Sequence, residues 1–292
     1  MTSTSVNSNT SDATETLAQD LVEHVRAYGP VAVAFSGGVD SAVVARAAVE
    51  ALGDKAVAVT AVSHSLATSE LNIARGEATL IGIRHVEVNT TEFERPEYRA
   101  NAGNRCFFCK DTLYRITAAK LSELDVSRII NGANTDDLGD HRPGMTAAKE
   151  HHVRSPLVEL GINKSQVRQL ARFWNLSVAE KPASPCLSSR IAYGVEVTEE
   201  RVRRVELAEA FIRELTGLNE LRVRCEADEL ARIEVPLESL SQLAAEASRR
   251  AVATRLKELG FRRVTLDLDG FRSGSLNDVL PVVRLGGSRE KP

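Results

Sequence analysis

Four short segments with the pattern of strands alternate with longer amphipathic segments in the first part of the chain. The first of them is apolar at every position, which is typical of a parallel strand buried on both faces. The predicted strands are 31–35, 56–62, 84–88 and 128–131. Strands that alternate with helices indicate an α/β fold with a doubly wound parallel sheet.

Helices are predicted from the spacing of apolar residues and from capping residues between and around these strands. The predicted helices are 13–27, 41–52, 68–81, 108–124 and 163–174, the last capped by Asn163. The long insertion 91–105 also carries helix signals. Ligands of such sheets lie outside the carboxyl ends of the strands, so polar residues that follow the strands are the candidates for a site.

The pattern changes near Gly194. Thr198 is predicted to cap a charged helix that reaches residue 215. Strands at 221–226, 231–235 and 263–268 and a helix at 237–259 complete the region. This order indicates a smaller α+β domain at 195–285 after a main domain at 13–194, with a disordered tail at 1–12 and a frayed tail at 286–292.

Composition narrows the class of function. The net charge is −3, the sequence pI is about 6.1 and aromatic residues make up 4%, which argues against a general nucleic-acid-binding surface. No run of about 18 apolar residues predicts a membrane span. The Ser-, Thr- and Asn-rich start lacks the pattern of a signal peptide, so a cytoplasmic protein is expected.

The segment Ser36-Gly37-Gly38-Val39-Asp40-Ser41 joins the first predicted strand to the helix that follows it. Glycines let the backbone approach an anion without a Cβ clash, and the start of a helix attracts phosphate. Ser36 and Ser41 add hydroxyl donors, and Asp40 is expected beside phosphates only where Mg²⁺ bridges them. The segment lacks the lysine of a Walker A motif, so it does not predict γ-phosphoryl transfer. An ordinary strand-to-helix turn is the structural alternative.

Three of the four cysteines lie in polar surroundings. Cys106 and Cys109 form a C-x-x-C at a predicted helix start, and Cys186 lies in the segment 181–190. Cys225 falls on the apolar face of a predicted strand, so it is predicted to be a core residue and not a fourth zinc ligand. Three thiolates suit a [4Fe–4S] cluster with one open iron, or a nucleophile with a redox pair. Semi-buried structural thiols are the alternative for the C-x-x-C.

Two further sets of residues are candidates for binding phosphate. Asn134 and Arg142 follow the last predicted strand of the sheet and therefore lie at its carboxyl edge. Arg222 and Arg224 share one face of a predicted strand, where two guanidinium groups can clamp a phosphate or carboxylate. A solvated strand face is the structural alternative for this pair.

The six-residue loop segment resembles that of the PP-loop ATP pyrophosphatases. The wider set of motifs resembles the LarE family of ATP-dependent sulfur transferases, which serve the nickel-pincer nucleotide cofactor of lactate racemase. These motifs are the loop, 131–144, 181–190, Arg222-Val223-Arg224 and 267–274. The resemblance covers nearly the whole chain. It implies a PP-loop domain, similar to the adenine nucleotide alpha hydrolases, and a C-terminal domain for substrate binding and oligomerisation.

The resemblance also implies a reaction. ATP is cleaved between its α and β phosphates, and AMP is transferred to a carboxylate of pyridinium-3,5-biscarboxylate mononucleotide, which then becomes a thiocarboxylate. Arg222 and Arg224 are expected to bind the substrate phosphate, and Asp40 to bind Mg²⁺. The residues expected to bind ATP and pyrophosphate are Ser36, Gly37, Gly38, Asp40, Ser41, Asn134 and Arg142.

The source of sulfur differs within the family. In some members the cysteine aligned with Cys186 gives up its own sulfur and becomes dehydroalanine. Members with the added C-x-x-C are expected to hold a [4Fe–4S] cluster that carries the donated sulfide. Because this chain has Cys106, Cys109 and Cys186, the cluster route is favoured, with Cys186 as the catalytic cysteine. The expected partners are a small nucleotide, other proteins of nickel-pincer biosynthesis and further copies of this chain.

Three other functions are compatible with the loop. A tRNA thiolase would use the same loop and similar cysteines, but the chain has no basic tract for RNA. An amide-forming synthetase would need an ammonia source, and no glutaminase segment is recognisable. A non-catalytic ATP-binding sensor would leave the three cysteines without a role.

Overall fold

The computed structural model describes residues 6–139 and 143–272. Their contacts divide the chain into two compact units. The N-terminal unit runs to Ala100 and resumes as Asn104–Leu187. The C-terminal unit comprises Asn101–Gly103 and the described residues from Ser188 onward.

The C-terminal unit begins at Ser188, ahead of the boundary predicted near Gly194. Pairing with a distant strand explains the difference. The backbone N–H of Ala192 donates to the carbonyl of Cys225 at 3.0 Å, and Nδ2 of Asn101 donates to the carbonyl of Ala192 at 2.8 Å. The first bond joins the segment to the strand that contains Cys225, and the second joins it to Asn101. The local sequence pattern does not reveal these contacts.

The N-terminal unit contains a four-stranded parallel sheet. Its strands are β1 (Val31–Ala34), β2 (Ala56–Val62), β3 (Arg84–Asn89) and β4 (Arg128–Ile130). They lie in the order β3-β2-β1-β4. The register aligns Val33 of β1 with Ala58 of β2 and with Ile130 of β4. The predicted α/β class is confirmed.

Helices pack on both faces of this sheet. Ala58 belongs to an apolar core that it shares with α1, α2 and α9, whereas Val57 and Val59 belong to a second core with α5 and α7. Alternate strand residues thus face opposite cores, as in a doubly wound sheet. The helices are α1 (Val6–Arg26), α2 (Val39–Leu52), α3 (Thr68–Ile81), α4 (Pro96–Arg99), α5 (Arg105–Ala119), α6 (Leu121–Leu124), α7 (Pro143–Glu150), α8 (Pro156–Glu159) and α9 (Lys164–Phe173).

The first helix is longer than predicted. α1 begins at Val6, so the helix covers part of the tail that was predicted to be disordered over 1–12. Extending an existing helix adds one hydrogen bond for each residue fixed and avoids a second nucleation step, which favours growth into a polar segment. The predicted frayed tail at 286–292 lies outside the described residues.

The C-terminal unit contains a three-stranded mixed sheet and three helices. Its elements are α10 (Glu199–Thr216), β5 (Arg222–Glu226), β6 (Leu230–Glu234), α11 (Leu240–Ala244), α12 (Glu246–Glu258) and β7 (Arg263–Leu266). The strand order is β5-β6-β7, with β5 antiparallel and β7 parallel to β6. Thr198 caps α10 as predicted, because its side chain accepts from the N–H of Arg201.

The helix predicted over 237–259 is divided in the structure. Ala245, between α11 and α12, has a ψ of 141°, which is not helical. Alanine is a strong helix former, so its own propensity does not cause the break. Leu243 on one side and Val252 and Leu256 on the other are all buried, which indicates that packing sets the break. No helix within the two described ranges is long and apolar enough to cross a membrane.

Candidate active site

The segment between β1 and α2 forms a tight loop at the carboxyl end of β1. Gly37 has a φ of +68°, and a Cβ at this position would lie 2.7 Å from Cα of Ala74 on α3. Only glycine fits both constraints. Gly38 precedes α2 and provides no side-chain cap, so the first N–H groups of α2 are left for an anion.

Two serine hydroxyls fix the shape of this loop. Oγ of Ser41 donates to the carbonyl of Gly38 at 3.0 Å and accepts from the N–H of Ser36 at 3.2 Å. Oγ of Ser36 lies 3.3 Å from Oγ of Ser41. Both hydroxyls therefore hydrogen bond within the loop, in addition to the phosphate contacts predicted for them.

The segment after β4 packs directly on the start of α2. A Cβ at Gly132 would lie 2.7 Å from the backbone nitrogen of Ser41 and 2.8 Å from the carbonyl carbon of Asp40. A larger residue would therefore displace the loop. Oδ1 of Asn131 accepts from Oγ of Ser155 at 2.9 Å, which holds the segment from the other side. The loop and the polar run after β4 thus form one site at the carboxyl edge of the sheet.

Both carboxylate oxygens of Asp40 have partners. Nδ2 of Asn134 donates to Oδ1 at 3.0 Å, and Nζ of Lys164 donates to Oδ2 at 2.5 Å. The structure therefore brings Asn134 to the loop. It also pairs Asp40 with a lysine that the sequence analysis did not single out.

Lys164 could have been found from a local signal. It is the first residue of α9, and a reciprocal capping box between Asn163 and Gln166 fixes that helix start. A helix that begins at the carboxyl edge of the sheet places its first side chain in the nucleotide site. Arg142, the other predicted ligand of this region, lies outside the described residues.

Cys106, Cys109 and Cys186 all belong to the N-terminal unit. α5 begins at Arg105, ahead of the predicted start, so Cys106 and Cys109 lie in its first two turns. Burial raises the pKa of Cys109 to about 12 and also raises that of Cys106, part of whose surface is nevertheless exposed. The charge of Cys186 adds to both increases, and such an effect requires proximity.

These thiols match a three-cysteine [4Fe–4S] site in number. The arrangement of their side chains gives no further support, because within residues 6–139 and 143–272 no group of three or more His, Cys, Asp or Glu is placed to hold a metal ion. The cluster therefore stays a prediction. Cys225 lies in the C-terminal unit and is fully buried, and burial raises the pKa of its thiol to about 11. It is a core residue, as expected.

Ser65 and Glu92 form a small polar pair that contacts the segment carrying Cys186. The carbonyl of Ser65 accepts from the N–H of Leu187 at 2.8 Å, which anchors the residue that follows Cys186. Oγ of Ser65 lies 3.5 Å from Oε1 of Glu92. Glu92 is buried, and its charge contributes to the raised pKa of Cys109 after the larger effect of burial. The backbone of Ser65 thus anchors the Cys186 segment, and the charge of Glu92 affects Cys109.

Arg224 is neutralised by a partner inside the C-terminal unit. Its Nε and Nη2 lie 3.0 Å from the two carboxylate oxygens of Glu234, and its Nη1 donates to the carbonyl of Ser189 at 2.8 Å. Both side chains of the ion pair are almost completely buried. This bidentate pair occupies the guanidinium edge that an anion would use.

Arg222 has a different environment on the same face of β5. Among the described residues it makes no ion pair or hydrogen bond, and its guanidinium carbon lies 4.6 Å from the ring centre of Phe271. Burial lowers the pKa of Arg222 to about 10, and the charges of Arg224 and Arg190 contribute to this change. The structure thus pairs Arg224 with a carboxylate and places Arg222 against an aromatic ring, and phosphate binding by the two arginines stays a prediction.

Comparison with known proteins adds what geometry alone does not give. Residues 12–102, which include the loop, match the family described as asparagine synthase. The chain is 34% identical to the pyridinium-3,5-bisthiocarboxylic acid mononucleotide synthase of Lactiplantibacillus plantarum, over 91% of this chain and 95% of that protein. The chain belongs to the LarE family. It is an enzyme of the PP-loop ATP-dependent sulfur transferase type.

Two further relatives match most of the length of this chain. An uncharacterized protein of Synechocystis sp. is 48% identical over 85% of this chain and 92% of its own length. An uncharacterized protein of Methanocaldococcus jannaschii is 25% identical over 83% of this chain and 91% of its own length. The PP-loop family implies ATP and Mg²⁺ as cofactors, which agrees with a glycine loop and an aspartate at a helix start.

Proposed function

We propose that this LarE-family enzyme uses ATP to activate a carboxylate of pyridinium-3,5-biscarboxylate mononucleotide and converts it to a thiocarboxylate. The product would serve the nickel-pincer cofactor of lactate racemase. The observation that carries the proposal is that a phosphate loop without a Walker lysine and three cysteines, Cys106, Cys109 and Cys186, occur in one compact unit. The name of the Lactiplantibacillus relative, a bisthiocarboxylic acid mononucleotide synthase, supports the substrate.

In the first step, a carboxylate oxygen of the substrate attacks the α-phosphorus of ATP. The bond between this phosphorus and the bridging oxygen to the β-phosphorus breaks, and pyrophosphate leaves with that oxygen. N–H groups at the start of α2 would stabilise the developing negative charge on pyrophosphate. Mg²⁺ at Asp40 would compete with Lys164 for the carboxylate, which would free the ammonium group of Lys164 for phosphate oxygens.

In the second step, sulfur attacks the acyl carbon, the bond from this carbon to the oxygen of AMP breaks, and AMP leaves. Cys106, Cys109 and Cys186 would hold the [4Fe–4S] cluster, with Cys186 as the catalytic cysteine. When bound, the cluster would supply a sulfide nucleophile through its open iron. The three thiols must lose their protons to bind it, so the elevated pKa of Cys109 opposes binding and iron must displace that proton.

Arg222 would bind the phosphate of the mononucleotide. It is a desolvated cation without a carboxylate partner among the described residues, and a phosphate would restore the interactions that burial removes. Arg224 and its buried partner Glu234 would support β5 from the same face.

The reaction is tested by incubating the enzyme with ATP, Mg²⁺ and the mononucleotide. We expect AMP and pyrophosphate to form in equal amounts, with mass spectrometry showing that oxygen is replaced by sulfur in the substrate. Stoichiometric ADP would contradict adenylation. Formation of AMP without a sulfur-containing product, under conditions that supply sulfide, would contradict sulfur transfer.

The sulfur source is tested by anaerobic purification followed by iron and acid-labile sulfide analysis. We expect iron and sulfide in the wild type and their loss in Cys106→Ser, Cys109→Ser and Cys186→Ser. Cys225→Ser is the matched control, since Cys225 lies buried in the other unit, and it should keep both. If the protein lacks iron and mass spectrometry after turnover shows dehydroalanine at position 186, Cys186 is a sacrificial donor instead.

A further inference from the structure

Residues 267–271 form a turn after β7 that the chemistry above does not use. Oδ1 of Asp267 accepts from the N–H of Asp269 at 3.0 Å, and the carbonyl of Asp267 accepts from the N–H of Gly270 at 3.2 Å. Gly270 has a φ of +70°, and a Cβ there would lie 2.9 Å from the carbonyl oxygen of Val235. The N–H of Phe271 donates to that same carbonyl at 2.8 Å. The turn therefore fixes the position of Phe271.

The ring of Phe271 lies against the guanidinium of Arg222. Their separation of 4.6 Å is within the range of a cation–π interaction, which strengthens when the cation is desolvated. Burial does desolvate Arg222. Arg222 and Arg224 thus occupy the same strand face but are held by different means, the first by an aromatic face and the second by a carboxylate.

We propose that Phe271 is a positioning residue for phosphate binding at Arg222, an inference that rests on the proposed function. A ring contacts the face of a guanidinium, whereas phosphate binds at its edge through N–H groups that lie in the plane. Phe271 therefore limits the motion of Arg222 without occupying the groups that bind the substrate. A carboxylate in its place would fix the guanidinium but would also neutralise it, as Glu234 does for Arg224.

The proposal is tested by calorimetric binding of pyridinium-3,5-biscarboxylate mononucleotide and of its dephosphorylated nucleoside. We expect Phe271→Ala to weaken mononucleotide binding about 30-fold, which corresponds to the roughly 2 kcal/mol of one desolvated cation–π contact. Phe271→Tyr should bind as the wild type does, since it keeps the ring. Phe271→Leu should bind as weakly as Phe271→Ala, although it fills most of the space. Binding of the nucleoside and of ATP should not change.

A double-mutant cycle separates positioning of Arg222 from general packing. In an Arg222→Ala background, Phe271→Ala should cause no further loss of mononucleotide affinity, because the guanidinium that it orients is gone. Restoration of binding by Phe271→Leu, or an equal loss in both backgrounds, would overturn the proposal. Thermal unfolding of each variant shows whether it is folded.

The same measurements distinguish failure of this inference from failure of the proposed function. If the wild type binds the mononucleotide and Arg222→Ala binds it more weakly, but Phe271→Ala binds normally, the role of Phe271 is wrong and the substrate assignment stands. If the wild type does not bind the mononucleotide, both the substrate assignment and the proposed role of Phe271 are wrong.

Discussion

The phosphate loop of the N-terminal unit and strand β5 of the C-terminal unit offer positive charge to anions in different ways. The loop uses backbone N–H groups at the start of α2, and close approaches at Gly37 and Gly132 set its geometry. On β5 the proposed anion-binding group is the side chain of Arg222, which lies against Phe271. A helix start keeps its N–H groups whatever lies elsewhere in the chain, whereas a guanidinium is available only if no carboxylate has already paired with it.

The largest expected effect concerns the charge inside the loop site. Asp40→Asn should lower turnover about 10³-fold, because the amide is a poor ligand for Mg²⁺ at the point where charge develops on pyrophosphate. Steady-state release of pyrophosphate measures this. The free energy of unfolding should change by no more than about 1 kcal/mol, since the pair with Lys164 is partly exposed. Normal turnover of Asp40→Asn at saturating Mg²⁺ would show that Asp40 is not needed for catalysis.

The second-largest expected effect is a difference in stability between variants of the two arginines of β5. Arg224→Ala leaves Glu234 buried without its bidentate partner, and we expect the free energy of unfolding to fall by about 3 kcal/mol. Breaking a buried ion pair costs about 3–5 kcal/mol. We expect the lower value because Nη1 of Arg232 still lies 2.7 Å from Oε1 of Glu234 and partly neutralises it. Denaturant unfolding measures the change.

Arg222→Ala is the matched control on the same strand face. It removes a buried cation that has no carboxylate partner among the described residues, so stability should change by less than about 1 kcal/mol while mononucleotide binding becomes weaker but stays measurable. Equal destabilisation by the two substitutions would show that the arginines do not differ in the way that their contacts indicate.

A smaller effect tests why the loop requires glycine. Gly37 and Gly82 both have positive φ, at +68° and +77°, but an added Cβ clashes with Ala74 only at Gly37 and meets open space at Gly82. Gly37→Ala should therefore cost about 1–3 kcal/mol more in unfolding free energy than Gly82→Ala, as overpacking does. Only Gly37→Ala should also weaken ATP binding. If both variants lose equal stability and bind ATP normally, backbone strain and not the close approach explains the glycine.

The smallest effect concerns charge that serves stability alone. Glu159 accepts from Nε and Nη2 of Arg154 at 2.7 and 2.6 Å and from the hydroxyl of Tyr28 at 2.6 Å. Hydrogen bonds from Arg154 are the main reason that the pKa of Glu159 is lowered to about 2 from its ordinary 4.5. Its contribution is therefore complete above about pH 4.5 and is lost as the pH falls toward 2.

Glu159→Gln should reduce the free energy of unfolding by about 1 kcal/mol at pH 7, after allowance for solvent screening. The difference from the wild type should shrink between pH 4.5 and 2, and turnover at pH 7 should not change. Denaturant unfolding at a series of pH values measures this. A difference that stays constant across that range would show that the carboxylate charge is not the cause.

Local signals predicted much of the fold. The helix predicted over 68–81 and the strand predicted over 56–62 coincide with α3 and β2, and Asn163 caps α9 as expected. These elements are defined by apolar periodicity and by capping residues within the element itself. The early start of the C-terminal unit could not be predicted, because it depends on bonds of Ala192 to the distant residues Cys225 and Asn101. The break at Ala245 could not be predicted either, because alanine favours a helix.

The sequence alone determined the α/β class, the phosphate loop and the family resemblance, since each rests on residues that are adjacent in the chain or spaced by one strand or helix period. Only the tertiary structure decided which charges are neutralised. It paired Asp40 with Lys164 and Arg224 with Glu234, and it set Arg222 against Phe271. Whether a charged side chain stabilises the fold or is available to a ligand depends on its neighbours in space, and the order of residues along the chain does not specify those neighbours.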